Sequence, residues 1–199
     1  MIIGITGGIG SGKSTIARAL AARGFAVYDC DQEAKRIIAE DKEVQEKIIA
    51  LFGEEAFING IYNTSYIAQK VFAQKELLEQ LNKIVHPAVK ADILSLLPSI
   101  GKSEGAFLLV ESAILYEAGL DEICDKIIVV EAPEEVRIAR TLARDYHGEA
   151  SEENINKVRA RIHAQEREQQ PHSKVPTTVV QNNGKTSIEE IVEKLTVWM

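Results

Sequence analysis

The sequence predicts an α/β fold built on a five-stranded parallel β-sheet, and three observations carry that prediction. Five short runs rich in β-branched residues recur along the 199 residues, and each is near-continuously apolar, as in strands covered on both faces. Helical stretches separate the runs, which is the pattern of a parallel sheet wound with helices. A glycine-rich turn joins the first run to the first helix.

Taken in order, Ile2-Ile3-Gly4-Ile5-Thr6 is the first strand, followed by the turn and a helix over Lys13–Ala22 that Gly24 stops. Phe25–Tyr28 is the second strand, ending in Asp29-Cys30-Asp31. The later strands are Gly105–Glu111, Lys126–Glu131 and Thr177–Gln181. A strand-helix-strand unit takes roughly 30 residues or a little more, and the second and third strands stand much further apart. Residues 32–102 therefore form a helical insertion, with helices over Lys42–Phe52, Thr64–Phe72, Lys75–Val85 and Pro87–Leu97. Asn59-Gly60 marks a turn between two of them, and Pro87 suits the first turn of the last. The core is 1–31 with 103–199. Pro133 opens a helix to Arg144, Gly148 breaks it, and Ser151 caps another to Glu168. The segment at about 145–160 has the make-up of a lid. Thr186 and Glu189 form a capping box for the final helix.

Composition narrows the function. With 45% hydrophobic and 27% charged residues, the chain buries a core. A net charge of −7 argues against a nucleic-acid partner. No apolar run approaches the ~18 residues of a membrane span, so no membrane partner is expected. Cys30 and Cys124 have neither zinc nor disulfide spacing and are expected to be buried thiols. These features fit a cytoplasmic protein, and they set no oligomeric state.

The chemistry starts at Gly7-x-x-x-x-Gly12-Lys13-Ser14, a phosphate-binding loop between a strand and a helix. Its backbone N–H groups, from Gly10, Ser11, Gly12 and Lys13 to Ser14 and Thr15, suit a nucleoside triphosphate. Lys13 reaches the outer phosphates, and Ser14 is placed to hold Mg²⁺. Glu111, ending the third strand, is a second metal-holding candidate, with a solvated strand-end acid as the plain alternative. Asp29 and Asp31 close the second strand. A carboxylate there either orients an attacking hydroxyl or caps the next helix, and the residues leave both open. Of nine arginines, six lie between Arg137 and Arg167. Arg140 and Arg144 are candidates for phosphate, and Arg159 and Arg161 could swing over the nucleotide. Arg137 is expected on a solvated face, paired with Glu134. His86 alone reads as structural.

The loop does not select a reaction, but a resemblance does. The stretches "TGGIGSGKST", "YDCDQEAKRI", "LNKIVHPAV", "RIARTLARD", "ARIHAQ" and "VVQNNG" resemble, in that order and nearly end to end, those of the dephospho-coenzyme A kinase family. The resemblance implies a three-layer P-loop kinase fold with a helical insertion and a lid. It implies transfer of the ATP γ-phosphate, with Mg²⁺, to the ribose 3′-hydroxyl of dephospho-coenzyme A. Asp31 falls at the family's catalytic aspartate, alongside Lys13 and Arg140. His86 and Pro87 fall in its coenzyme A signature, so that the insertion takes the coenzyme A moiety. Arg161 belongs with the substrate, and Asn182 and Asn183 lie at the turn beside the adenine of ATP. The chain departs from the family at Glu111 and Ala113, where aspartate and proline are usual, and at Thr64, where arginine is common. A kinase for another small hydroxyl acceptor is the nearer alternative. A nucleotide-dependent switch is the further one, and no Asn-Lys-x-Asp run supports a GTPase.

Overall fold

A computed structural model of the chain describes residues 1–100, 107–168 and 173–199. Its elements run β1 (Ile2–Thr6), α1 (Lys13–Ala22), β2 (Ala26–Asp29), α2 (Cys30–Glu40), α3 (Lys42–Phe52), β3 (Phe57–Ile58), β4 (Ile61–Tyr62), α4 (Thr64–Ala73) and α5 (Lys75–Leu96). They continue with β5 (Leu108–Glu111), β6 (Lys126–Glu131), α6 (Glu134–Asp145), α7 (Glu152–Glu168), β7 (Thr177–Gln181) and α8 (Ile188–Trp198). The chain divides into two units, Met1–Tyr28 with Ile100–Met199, and Asp29–Ser99.

The first unit carries a parallel sheet in the order β2-β5-β1-β6-β7. Central β1 aligns Ile5 with Glu111 of β5 and with Ile128 of β6. Ile3 and Ile5 pack against Ile16 and Leu20 of α1 and Ile191, Val192 and Leu195 of α8. Gly4, between them, faces Leu115 and Cys124. Phe25 stacks on Phe107 at 5.0 Å between ring centroids, sealing the core beside β5. The expected third strand begins at Leu108; its first two residues, Gly105 and Ala106, lie outside the described residues. Both cysteines are buried thiols, not joined in a disulfide. Helices α6 and α7 join through Ile138, Leu142, Val158 and Ile162, all buried. The Tyr146–Ser151 connection holds His147 and Gly148 at positive φ. The cap of α8 is Ser187, whose Oγ accepts from Glu190 N–H, rather than Thr186. Thr186 instead gives its own N–H to Asn183 Oδ1.

The second unit is helical around Ile37, Val44, Ile48, Phe52, Ile67, Val89 and Ile93. Asp41 ends α2 and caps α3 by accepting from Glu43 and Val44 N–H. Asn63 caps α4, and Tyr66 Oη donates to Phe52 O at 2.9 Å. Asn59-Gly60 is a turn between α3 and α4, as expected, and it closes the short antiparallel strands β3 and β4 as a two-residue hairpin with both residues at positive φ. One expectation fails. The two helices expected on either side of His86 are one helix, α5, with Pro87 in its interior. Packing of α2, α3 and α4 on α5 outweighs the local cost of that proline.

Candidate active site

The loop after β1 turns into α1 through Gly12, the N-cap residue, at φ 90° and ψ 18°. That left-handed conformation suits glycine. Ser11 N–H closes back on Gly8 O at 3.0 Å, and Thr15 and Ile16 N–H both turn to Gly12 O. Among the described residues, the N–H groups of Gly10, Gly12, Lys13 and Ser14 have no protein acceptor. They line a cavity of about 500 Å³, with Thr15, Arg18, Arg140, Arg144 and Asn182 around it. Free amides at a helix N-terminus make an anion site.

Glu111 reaches this site because the β1–β5 register sets it beside Ile5, two residues before Gly7. It is buried, at 6% exposure. Its Oε1 lies 3.3 Å from Lys13 Nζ and accepts from Ser14 Oγ at 3.0 Å. The solvated strand-end alternative therefore does not hold. No group of three or more acidic, histidine or cysteine ligands occurs among the described residues. One hydroxyl and one carboxylate fit Mg²⁺, which takes few protein ligands and completes its shell with water and phosphate oxygens.

Arg140 and Asn182 shape the other wall. Arg140 Nη1 donates to Ser11 O at 3.1 Å and Asn182 O at 3.2 Å, and Nη2 donates to Asn182 Oδ1 at 3.1 Å. Asn182, almost fully buried, donates from Nδ2 to Ser11 O at 2.8 Å. Asn183 turns elsewhere: its Oδ1 accepts from Lys185 and Thr186 N–H and shapes the entry to α8. Arg144 lines the cavity while its guanidinium grips Asp145. Arg161 meets the same carboxylate at 2.9 Å. The bond from Arg144 above all, with a lesser one from Arg161, holds Asp145 down at about 2 against the opposing effect of desolvation. Arg159 pairs with Glu134, as does His163.

Arg137 corrects the sequence expectation. It is buried, not solvated, and its partners are Ile9 O and Glu166 rather than Glu134. Glu166 lies 29 residues away, beyond the reach of helical spacing rules. Gln165 was not singled out, yet its Oε1 accepts from Ile9 N–H at 2.7 Å. It closes the stretch "ARIHAQ", but nothing local to that stretch points to the loop.

In the helical unit, Asp29 is the N-cap of α2, accepting from Asp31 and Gln32 N–H at 3.0 and 3.1 Å. Asp31 stands in the first turn, and among the described residues its carboxylate has neither hydrogen bond nor ion pair. His86 sits half-buried inside α5, where burial pushes its imidazole below the usual value.

A phosphate-binding loop between a central parallel strand and its helix, with lysine, hydroxyl and buried acid converging, defines a P-loop phosphotransferase of the kinase class. The family model for dephospho-CoA kinase matches residues 1–188. The chain is 41% identical over 167 residues to a dephospho-CoA kinase of Porphyromonas gingivalis, covering 84% of this chain and 78% of that one. It is 38% identical over 196 residues to that of Fusobacterium nucleatum, covering 98% and 95%. A solved dephospho-CoA kinase from Campylobacter jejuni superposes with a TM-score of 0.66 at 25% identity, over 98% of this chain and 94% of that one. The chain belongs to the dephospho-CoA kinase family, whose reaction is the final step of coenzyme A biosynthesis.

Proposed function

We propose that this chain moves the γ-phosphoryl group of ATP onto the ribose 3′-hydroxyl of dephospho-coenzyme A, with the residues from Gly10 to Thr15 as its phosphate cradle. The convergence of Lys13 Nζ, Ser14 Oγ and buried Glu111 beside the unpaired loop amides carries this reading. In the free protein the ammonium leans on Glu111; with a triphosphate in the cradle it turns to phosphate oxygens. Ser14 and Glu111 would hold Mg²⁺, which neutralises charge on the phosphates when bound. Arg140, fixed by three backbone carbonyls and Asn182, offsets charge spreading over the transferring group. Arg144 and Arg161 exchange Asp145 for phosphate oxygens as substrates arrive.

Asp31 orients the acceptor hydroxyl and takes its proton. The cap supports this assignment over Asp29: one carboxylate is committed to helix amides, and the other has no partner among the described residues. The helical unit receives the rest of the acceptor. Its groove of about 750 Å³ is walled by Ile37, Val44, Lys83, Pro87 and Ala91 and also by the carboxylates of Glu40, Asp41 and Glu43, with His86 beside Pro87 on the same helix.

Asp31→Asn tests the assignment. Turnover falls about 10²–10⁴-fold, the usual worth of general-base help, while the dissociation constant for ATP stays put. Unaltered turnover removes Asp31 from its role.

A further inference from the structure

We propose that Arg137 and Gln165 are positioning residues that hold the apex of the phosphate-binding loop from outside, and that this clamp sets the affinity for ATP. Ile9 is at the apex. Its C=O accepts from Arg137 Nε of α6 at 2.9 Å, and its N–H donates to Gln165 Oε1 of α7 at 2.7 Å. Both polar groups of one loop residue are thus satisfied by side chains distant in sequence. Gln165 Nε2 continues to Ala113 O at 3.3 Å, just beyond β5. Arg137 Nη1 is anchored by Glu166, the neighbour of Gln165. Helix α7 therefore fixes the loop twice, directly through Gln165 and indirectly through Glu166 and Arg137.

Two glycines belong to this clamp. A Cβ on Gly8 would stand 2.3 Å from Arg137 Nη2, and one on Gly10 would stand 2.4 Å from Arg137 O. A side chain on Gly10 would meet the α6 backbone, and one on Gly8 would displace the Arg137 guanidinium from the clamp. Arg137 Nη2 is itself buried and has no acceptor among the described residues, so the bonds that place the guanidinium are those of Nε and Nη1. Within the loop, the turn bond from Ser11 N–H to Gly8 O spans Ile9, but both of that residue's own backbone groups are held by the clamp. Without the clamp the loop samples shapes whose amides do not converge, and apparent affinity falls by the fraction of time spent in them.

The inference rests on the cradle holding the phosphates of ATP, so the test includes a variant that probes the cradle alone. Full-length Lys13→Ala, Gln165→Met and Arg137→Lys are titrated with Mg²⁺-ATP, and amide hydrogen exchange of the loop is followed in the free proteins. Gln165→Met, similar in length but without the carboxamide, weakens ATP binding about ten-fold. It speeds exchange in the loop while exchange in the sheet and the acceptor KM stay at wild-type values. Arg137→Lys, which keeps the charge but loses the Nε donor, moves both readouts the same way. An unchanged ATP affinity in Gln165→Met, with Lys13→Ala impaired, overturns the clamp and leaves the cradle standing. Wild-type ATP affinity in Lys13→Ala overturns the cradle and the clamp with it. Exchange that quickens equally across the sheet overturns a positioning role in favour of general destabilisation.

Discussion

Glu111→Gln separates two jobs that one carboxylate performs. In the free protein its Oε1 lies 3.3 Å from Lys13 Nζ, with the two side chains only 15% and 8% exposed in the order Lys13, Glu111. At that distance two unit charges attract by about 5 kcal/mol at an effective dielectric of ~20. An arriving triphosphate must draw the ammonium from this partner and also faces the carboxylate's own charge. The neutral amide keeps the shape and removes both penalties. The open cavity wets the lysine, so we expect only part of the attraction to appear. Without metal, the dissociation constant for ATP should fall about ten-fold, or ~1.4 kcal/mol. With Mg²⁺ the sign reverses: turnover drops about 100-fold, because a charge-stabilising group is lost at the reacting phosphate. Calorimetric titration of ATP in chelator, paired with turnover against Mg²⁺ concentration, reads both effects. Unchanged or weaker metal-free binding, with an unaltered Mg²⁺ requirement, would refute the reasoning.

Three further outcomes follow from the helical unit. Asp29→Ala removes the cap of α2 and should cost ~0.5–2 kcal/mol in urea unfolding, with turnover also falling as the first turn carrying Asp31 loosens. Pro87→Ala restores the backbone donor to the interior of α5 and should raise stability by up to ~3 kcal/mol; a loss of stability would mean the packing of α5 requires the proline. Burial lowers the His86 pKa, so the unfolded chain binds its proton first. Stability from this group is full above the unfolded value near 6.5 and declines as pH falls from there through the folded value. Unfolding free energies across that window should slope downward toward acid in the wild type and flatten in His86→Gln.

Much of the fold was legible because the strands are long enough to carry pattern. Lys126–Glu131 and Thr177–Gln181 appear as read, and Lys42–Phe52 has its expected ends. The hairpin β3–β4 escaped because two residues per strand show no periodicity, leaving only the Asn59-Gly60 turn signal. Pro87 suggested a boundary since local rules cannot weigh the tertiary packing that keeps α5 continuous. The site divides in the same way. Lys13, Ser14 and the loop glycines are contiguous and therefore readable. Glu111 needed only the strand register. Asp29 and Asp31 read alike in the sequence, and the structure shows which of them caps α2. Arg137 and Gln165 act across the gap between distant helices and the loop, through contacts that no sequence spacing encodes. Among the described residues no helix is long and apolar enough to cross a membrane.

The central claim is met most directly by incubating the protein with Mg²⁺-ATP and dephospho-coenzyme A and identifying the products by mass and by the position of the new phosphate. The account predicts coenzyme A phosphorylated at the ribose 3′ position, formed in equal amount to the ADP released. Free phosphate accumulating while the acceptor is recovered unchanged would contradict it.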